Sequence, residues 1–131
     1  MIVIGVDPGS VFTGAAVHQN GSFTFWAESD DPIVIWKLIR AVRRNNPGVP
    51  LVVILEDFLG SGPRNKHAKR TIEVIGYIRY TCIAHGIGVE LVPQQYRKSN
   101  VMNVPTAIEG KDEKAAAAHV LSYIERKARG I

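Results

Sequence analysis

Two carboxylates in this chain stand where a folded protein seldom leaves an acid alone. The run Ile2 to Val6 is rich in β-branched residues and reads as a buried strand; it ends in Asp7, followed at once by Pro8 and Gly9. A second apolar run, Leu51 to Leu55, ends the same way in Glu56 and Asp57. An acid at the tip of a buried strand is costly without a partner, and the usual partner is a metal ion or a phosphate held through one. Asp112 and Glu113 open a third apolar pattern farther on. Brought together, such carboxylates repel one another unless a divalent cation neutralises them. An all-oxygen set suits Mg2+ or Mn2+. Two such ions about 3.5–4 Å apart activate water and stabilise the leaving oxygen in phosphodiester cleavage. Taken singly, the same acids are solubilising strand ends and a helix cap.

A second group is basic. Residues 63–70, PRNKHAKR, hold Arg64, Lys66, Lys69 and Arg70, downstream of Gly60 and Gly62. This reads as a flexible basic loop leading into a helix, able to contact phosphates without sequence preference. Cations at a helix N-terminus oppose the macrodipole, so their presence there points to a role outside the fold. Phe58 stands at the same rim, as a wedge or as a core residue. A third group, Gln94-Gln95-Tyr96-Arg97-Lys98, offers Arg97 or Lys98 to stabilise charge on a phosphate and Tyr96 as an aromatic contact.

The elements that must position these residues follow from the pattern. Asn20–Gly21 is a hairpin signal between strands at Val11–His18 and Ser22–Ala27, so the chain opens with a three-stranded antiparallel meander. Asp30–Asp31–Pro32 starts a helix, with Ile35, Leu38, Ile39 and Val42 as its apolar stripe. Leu51–Leu55 is a strand buried on both faces. Thr71, Val74, Ile75, Ile78 and Cys82 mark a second helix, stopped near Gly86; Val89–Val92 is a fifth strand. Residues 93–110 read as irregular. Ala117, Val120, Leu121, Ile124 and Ala128 mark a last helix that starts near Asp112. The order β-β-β-α-β-α-β-α gives an α/β domain with a five-stranded mixed sheet, the element order of the ribonuclease H-like fold. Strands one and four then lie side by side and bring Asp7 and Glu56 together. Asp112 and His119 are seven residues apart and share one helix face.

Length and composition bound the rest. The 131 residues, 46% hydrophobic and 21% charged, suit one domain, residues 1–131. No apolar run approaches the roughly 20 residues of a bilayer span, and no basic segment precedes the first apolar stretch, so a cytoplasmic protein without membrane or signal segment is expected. Cys82 is the single cysteine, which excludes a CxxC zinc site. There is no GxxxxGK[ST] loop, so no nucleotide cofactor is expected. Net charge is +4, unevenly spread: residues 1–36 carry no Lys or Arg and four acids, whereas residues 37–131 carry all 16 basic residues against eight acids. That asymmetry suits a protein that meets a polyanion on one side.

GVDPGSVFTGAAV resembles the first motif of RuvC-type Holliday junction resolvases, in which an Asp-Pro-Gly turn follows the strand bearing the first catalytic aspartate. VVILEDFLG resembles the second, where a glutamate closes the fourth strand. KDEKAAAAHVLSYI resembles the third, where acidic or histidine ligands open an alanine-rich helix. The match runs in order along nearly the whole chain and is nearest to the compact bacteriophage forms. The resemblance implies a structure-selective endodeoxyribonuclease in which Asp7, Glu56 and Asp112 hold two Mg2+ or Mn2+ ions, Asp7 bridging them. It also implies a homodimer that sets two sites on opposing strands of branched DNA, and products with 5′-phosphate and 3′-hydroxyl ends. The family places two ligands three residues apart at the start of the last helix; here these are Asp112 and Ala115, and alanine binds no metal. A three-carboxylate site, compensation by Glu113 and a decayed site all stay open. His119 is expected as a group that supports the ligands or moves a proton, or as a packed core histidine. The helix Thr71–His85, with Tyr77, Ile78 and Tyr80, is the expected dimer face. Rival readings are a nuclease for RNA or RNA–DNA hybrid, a noncatalytic nucleic-acid-binding module, and an ATP-binding fragment of the kinase–actin type, for which the chain is too short.

Overall fold

Five strands form one mixed sheet in the order β3-β2-β1-β4-β5. In the computed structural model, which describes residues 1–58 and 66–130, these are β1 (Ile2–Asp7), β2 (Thr13–Gln19), β3 (Ser22–Ser29), β4 (Leu51–Glu56) and β5 (Gly88–Val92). The first three make the antiparallel meander; β1 with β4 and β4 with β5 pair in parallel. Asn20 and Gly21 have φ of 55° and 85° and close the β2–β3 hairpin between the partners Gln19 and Ser22. That double positive φ is what a two-residue hairpin turn with matching twist requires.

Alternation along the strands sorts side chains onto two faces. On one face Ile2, Ile4, Val6, Val53 and Leu55 pack under α1 (Pro32–Asn45) and α2 (Lys66–Ala84). Helix α1 is capped by the Asp31 side chain, which accepts from the Ile33 amide at 2.9 Å, with Pro32 in the first turn. Its buried residues are Ile35, Trp36 and Ile39, while Leu38 and Val42 are partly buried at the edge of the same cluster. On the other face Val3, Ile54, Val92, Ala16 and Phe23 pack under α4 (Lys111–Ala128).

Helix α4 lies unusually close to the sheet, and small residues permit it. A Cβ on Gly5 would collide with the Ala116 carbonyl, and one on Gly14 with the Asp112 carbonyl. Opposite them the helix presents Ala115, Ala116, Ala117 and Ala118, all buried. Gly14 is the β-partner of Asp7, so the first turn of α4 rests directly beside the end of β1.

The structure differs from the sequence expectation at several points. Helix α2 begins at Lys66, five residues before Thr71, so Lys66, Lys69 and Arg70 occupy its first turns rather than a loop. The stretch after β5, expected to be irregular, contains a short helix α3 (Gln95–Lys98) and a 3-10 turn at Val101–Asn103. Ile78 does not contribute to an outer face of α2: it is fully buried against the sheet, and Tyr77 is half-buried on the same cluster. Among the described residues no helix is long and apolar enough to cross a membrane.

Gly5→Ala tests the close approach. The added methyl must push the α4 backbone away, so stability is expected to fall by about 1–3 kcal/mol, read as a lower urea midpoint at unchanged m-value.

Candidate functional site

Parallel pairing of β1 with β4 ends at the rung Val6–Leu55, and the next residue of each strand is an acid. Asp7 and Glu56 emerge side by side at the carboxyl edge of the sheet, on the face that carries α4. Asp7 is only 6% exposed. Its carboxyl is pushed up to about 8 by burial, by the charge of Glu56, by a hydrogen bond with Glu56 and by the charge of Asp112; Arg97 opposes the rise. Burial also raises Glu56, but hydrogen bonds from His119 and Asp7 and the charge of Arg97 outweigh it and bring Glu56 below its ordinary value. The proton therefore resides on Asp7, which donates to an ionised Glu56. Two adjacent carboxylates in a poorly solvated place do not both ionise unaided.

Two further side chains complete the cluster. His119 of α4 is fully buried, with Nε2 2.8 Å from Glu56 Oε1. Its Nδ1 is buried with no partner among the described residues, which favours the tautomer that donates from Nε2 and leaves only a lone pair unmatched. Arg97 of α3 lies 3.4 Å from Glu56 Oε1 through Nε and 3.9 Å from Asp7 Oδ2 through Nη1. Its backbone is tied down by Tyr96, whose carbonyl accepts from the Ser122 hydroxyl and whose ring lies 4.2 Å under the Arg126 guanidinium.

The remaining residues singled out in the sequence fall in different places. Asp112, half-buried in the first turn of α4, acts on Asp7 through its charge. Glu113 folds back over Gly110, and its charged neighbours are Glu28 and Asp112 rather than Asp7 or Glu56; its carboxyl is raised by burial and by those two acids. Lys98 is exposed beside the site. Phe58, 39% exposed, follows β4 by two residues and stands at the carboxyl edge. Lys66, Lys69 and Arg70 are exposed in the first turns of α2, with Arg70 3.9 Å from Glu73. Arg64 lies outside the described residues.

The donor set is all carboxylate, and one member keeps its proton through burial and the charge of its neighbour. That chemistry fits a hard divalent cation between Asp7 and Glu56, with Asp112 in Coulombic reach. Among the described residues no three His, Cys, Asp or Glu side chains are already gathered as an ion-enclosing group. Sequence reasoning missed two features. Gly5 and Gly14 set how near Asp112 comes to Asp7, and their signal was a pair of glycines aligned with an alanine-rich helix. Val11 and Phe12, expected to begin the second strand, instead lie exposed in the turn after Asp7 and place apolar surface at the rim.

No protein-family model matches the sequence, and no curated protein matches it. Solved structures do match its fold. RuvC of Thermus thermophilus in complex with a Holliday junction substrate superposes with a TM-score of 0.78 at 14% identity, over 99% of this chain and 96% of that one. A second Thermus thermophilus RuvC structure gives 0.72 at 14% identity, over 99% and 97%. The chain has the RuvC fold. Fowlpox virus resolvase, solved with its substrate Holliday junction DNA, matches at 0.56 and 20% identity over 97% and 99%. The ribonuclease H-like architecture expected from the element order is thus the one observed. The RuvC fold accounts for β1 and β4 being neighbours although β2, β3 and α1 all lie between them in sequence.

The raised Asp7 carboxyl has a consequence for stability. Between the ordinary value near 4 and the folded value of about 8 the native state binds more protons than the unfolded one, so stability falls as pH rises through that window. In chelator, Asp7→Asn removes this dependence while keeping a neutral donor to Glu56. Its melting temperature at pH 8 is expected to exceed the wild type's by more than about 3 °C, and the two curves converge towards pH 4. Parallel curves across the range would show that Asp7 does not carry the proton.

Proposed function

We propose that this chain is a divalent-metal-dependent endonuclease that cuts phosphodiesters in branched DNA, with four-way junctions as its substrate. The observation that carries the reading is the pair of buried strand-end carboxylates, Asp7 and Glu56, at the carboxyl edge of a RuvC fold. Support for the substrate comes from the solved structures of similar fold, two of which are complexes with Holliday junction DNA.

Asp7, Glu56 and Asp112 are the residues that would hold Mg2+ or Mn2+, and we favour two ions. Bound there, such cations would supply positive charge against the scissile phosphate and would make a water more acidic. The chain's own groups do the rest. His119 fixes the Glu56 carboxylate from behind. Arg97 is within reach of a phosphate placed at the pair and offsets charge that develops on it. The exposed Val11, Phe12 and Phe58 give apolar contact to sugars and bases at the rim. Arg64, Lys66, Lys69 and Arg70 follow the second catalytic strand and attract the DNA backbone without reading its sequence; Lys98 adds to that field. By analogy with the family, the products carry 5′-phosphate and 3′-hydroxyl ends.

We further propose a homodimer built on α2. Ile72, Tyr80 and Ile83 are exposed and fall on one side of that helix, opposite its buried residues Val74, Ile75, Ile78 and Cys82. Two copies joined there would present two centres to opposing strands.

A second reading is a noncatalytic junction-binding module. It is favoured by Ala115, buried where the family carries a ligand, and by Arg97 already neutralising the carboxylates. Incubating a labelled four-way junction, linear duplex, RNA duplex and RNA–DNA hybrid with Mg2+, Mn2+ or chelator separates the readings. Metal-dependent incision confined to the junction is the expected result. Binding without incision under every condition selects the module, and incision confined to an RNA-containing duplex selects the related nuclease.

Two variants extend the test. Asp7→Asn is expected to lower cleavage by more than about a hundredfold while junction affinity is kept or improved, because asparagine presents a neutral side chain to phosphate at every pH. Replacing Arg64, Lys66, Lys69 and Arg70 together with glutamine should weaken binding and flatten its dependence on log salt by about 0.9 for each phosphate that is no longer neutralised. An unchanged salt slope removes the basic segment from the interface.

A further inference from the structure

We propose that Arg97 is a placeholder cation: it neutralises the Asp7–Glu56 pair in the DNA-free protein, competes with the divalent ion for that pair, and leaves it for a substrate phosphate. Metal loading and DNA binding are thereby coupled. The inference rests on the reading of Asp7 and Glu56 as metal ligands and goes beyond it by assigning regulation to one side chain.

The geometry is that of a charge held close but loosely. Arg97 approaches one oxygen of each carboxylate, at 3.4 and 3.9 Å. Short fork-to-fork pairing of guanidinium with carboxylate runs at about 2.7–2.9 Å, and among the described residues the Arg97 guanidinium makes no hydrogen bond. Its side chain is 24% exposed, so an exit to solvent is open. The start of that side chain is fixed, because Tyr96 beside it is held by Ser122 and Arg126 of α4. The guanidinium can therefore swing without the short helix moving.

Charge decides the direction of the exchange. A divalent ion carries twice the charge of the guanidinium and can ligate both carboxylates directly, which Arg97 at 3.4 and 3.9 Å does not. A cation seated between the two carboxylates repels the guanidinium. A phosphate arriving at the same edge offers it a bidentate partner of better geometry. By linkage, whatever draws Arg97 away raises affinity for the ion, and the ion raises affinity for the phosphate.

This separates Arg97 from a simple phosphate clamp. A clamp has no effect on metal binding when DNA is absent; a placeholder weakens it. The test is calorimetric titration of Mn2+ into DNA-free, chelator-treated wild type, Arg97→Gln and Asp7→Asn. Arg97→Gln is expected to bind Mn2+ at least about tenfold tighter than wild type, and yet to cut junctions more slowly at saturating Mn2+. Arg97→Met, which keeps the apolar stem, is followed in parallel by the rise in melting temperature that Mn2+ produces. That rise should exceed the wild type's, which keeps the test decisive if the glutamine variant folds poorly. Equal or weaker Mn2+ binding in both Arg97 variants, with binding abolished in Asp7→Asn, overturns the placeholder and leaves the metal site standing. Mn2+ binding that survives Asp7→Asn unchanged overturns the metal site itself.

Discussion

The structure turns on two carboxylates that parallel strand pairing places side by side where water cannot solvate both. Asp7 and Glu56 are neighbours because β1 and β4 are neighbours in register, and no rotamer choice separates them far. Every polar group around them answers that constraint. Asp7 keeps a proton, His119 donates to Glu56, and Arg97 leans over both. In a structural role, a pair of strand-end acids of this kind would be disfavoured against two apolar residues. Under the proposed function, that cost is offset when a divalent cation binds between them.

The scaffold holds the third acid near by removing bulk. Gly5 and Gly14 have no Cβ to keep α4 off the sheet, and Ala115 to Ala118 answer from the helix side. Asp112 and Glu113 sit in the first turn of α4, where the helix dipole favours negative charge, and Arg126 and Lys127 sit in the last. Helix α2 shows the opposite arrangement, with cations and no acid in its first turn. Its stability must come from Val74, Ile75, Ile78 and Cys82 packed on the sheet, since its start opposes the dipole. A cationic start that the fold does not need is free to meet a polyanion.

Much of this is legible in the sequence because it rests on local rules. The Asn20–Gly21 hairpin, the Asp31 cap with Pro32, and the strand-end acids depend on a few adjacent residues, and the structure contains all of them. That Asp112 and His119 both face the strand-end acids follows from helical periodicity. What is not legible depends on tertiary contact. Helix α2 extends back to Lys66 although nothing apolar marks its first turn, and α3 is too short to show a period. The stripe of Val74, Ile75, Ile78 and Cys82, by contrast, is legible from its spacing and is buried as marked, which takes Ile78 off the outer face. The depth of α4 is hidden in two glycines whose meaning appears only when the helix lies across them.

Arg97 illustrates how far residue type alone carries an argument. In sequence it is one of two adjacent cations in a surface segment, and Lys98 has equal claim. The fold distinguishes them: a helix of four residues, pinned through Tyr96, turns Arg97 towards Asp7 and Glu56 and leaves Lys98 exposed. A compact, strongly hydrated ammonium at position 97 would neutralise the pair as a point charge but would lack the planar fork that suits phosphate. The guanidinium serves both partners, poorly matched to the carboxylates at their observed spacing and well matched to a phosphodiester. That difference in fit is the driving force for exchange. It follows from the same side-by-side placement of Asp7 and Glu56, because Arg97 reaches one oxygen of each and pairs squarely with neither.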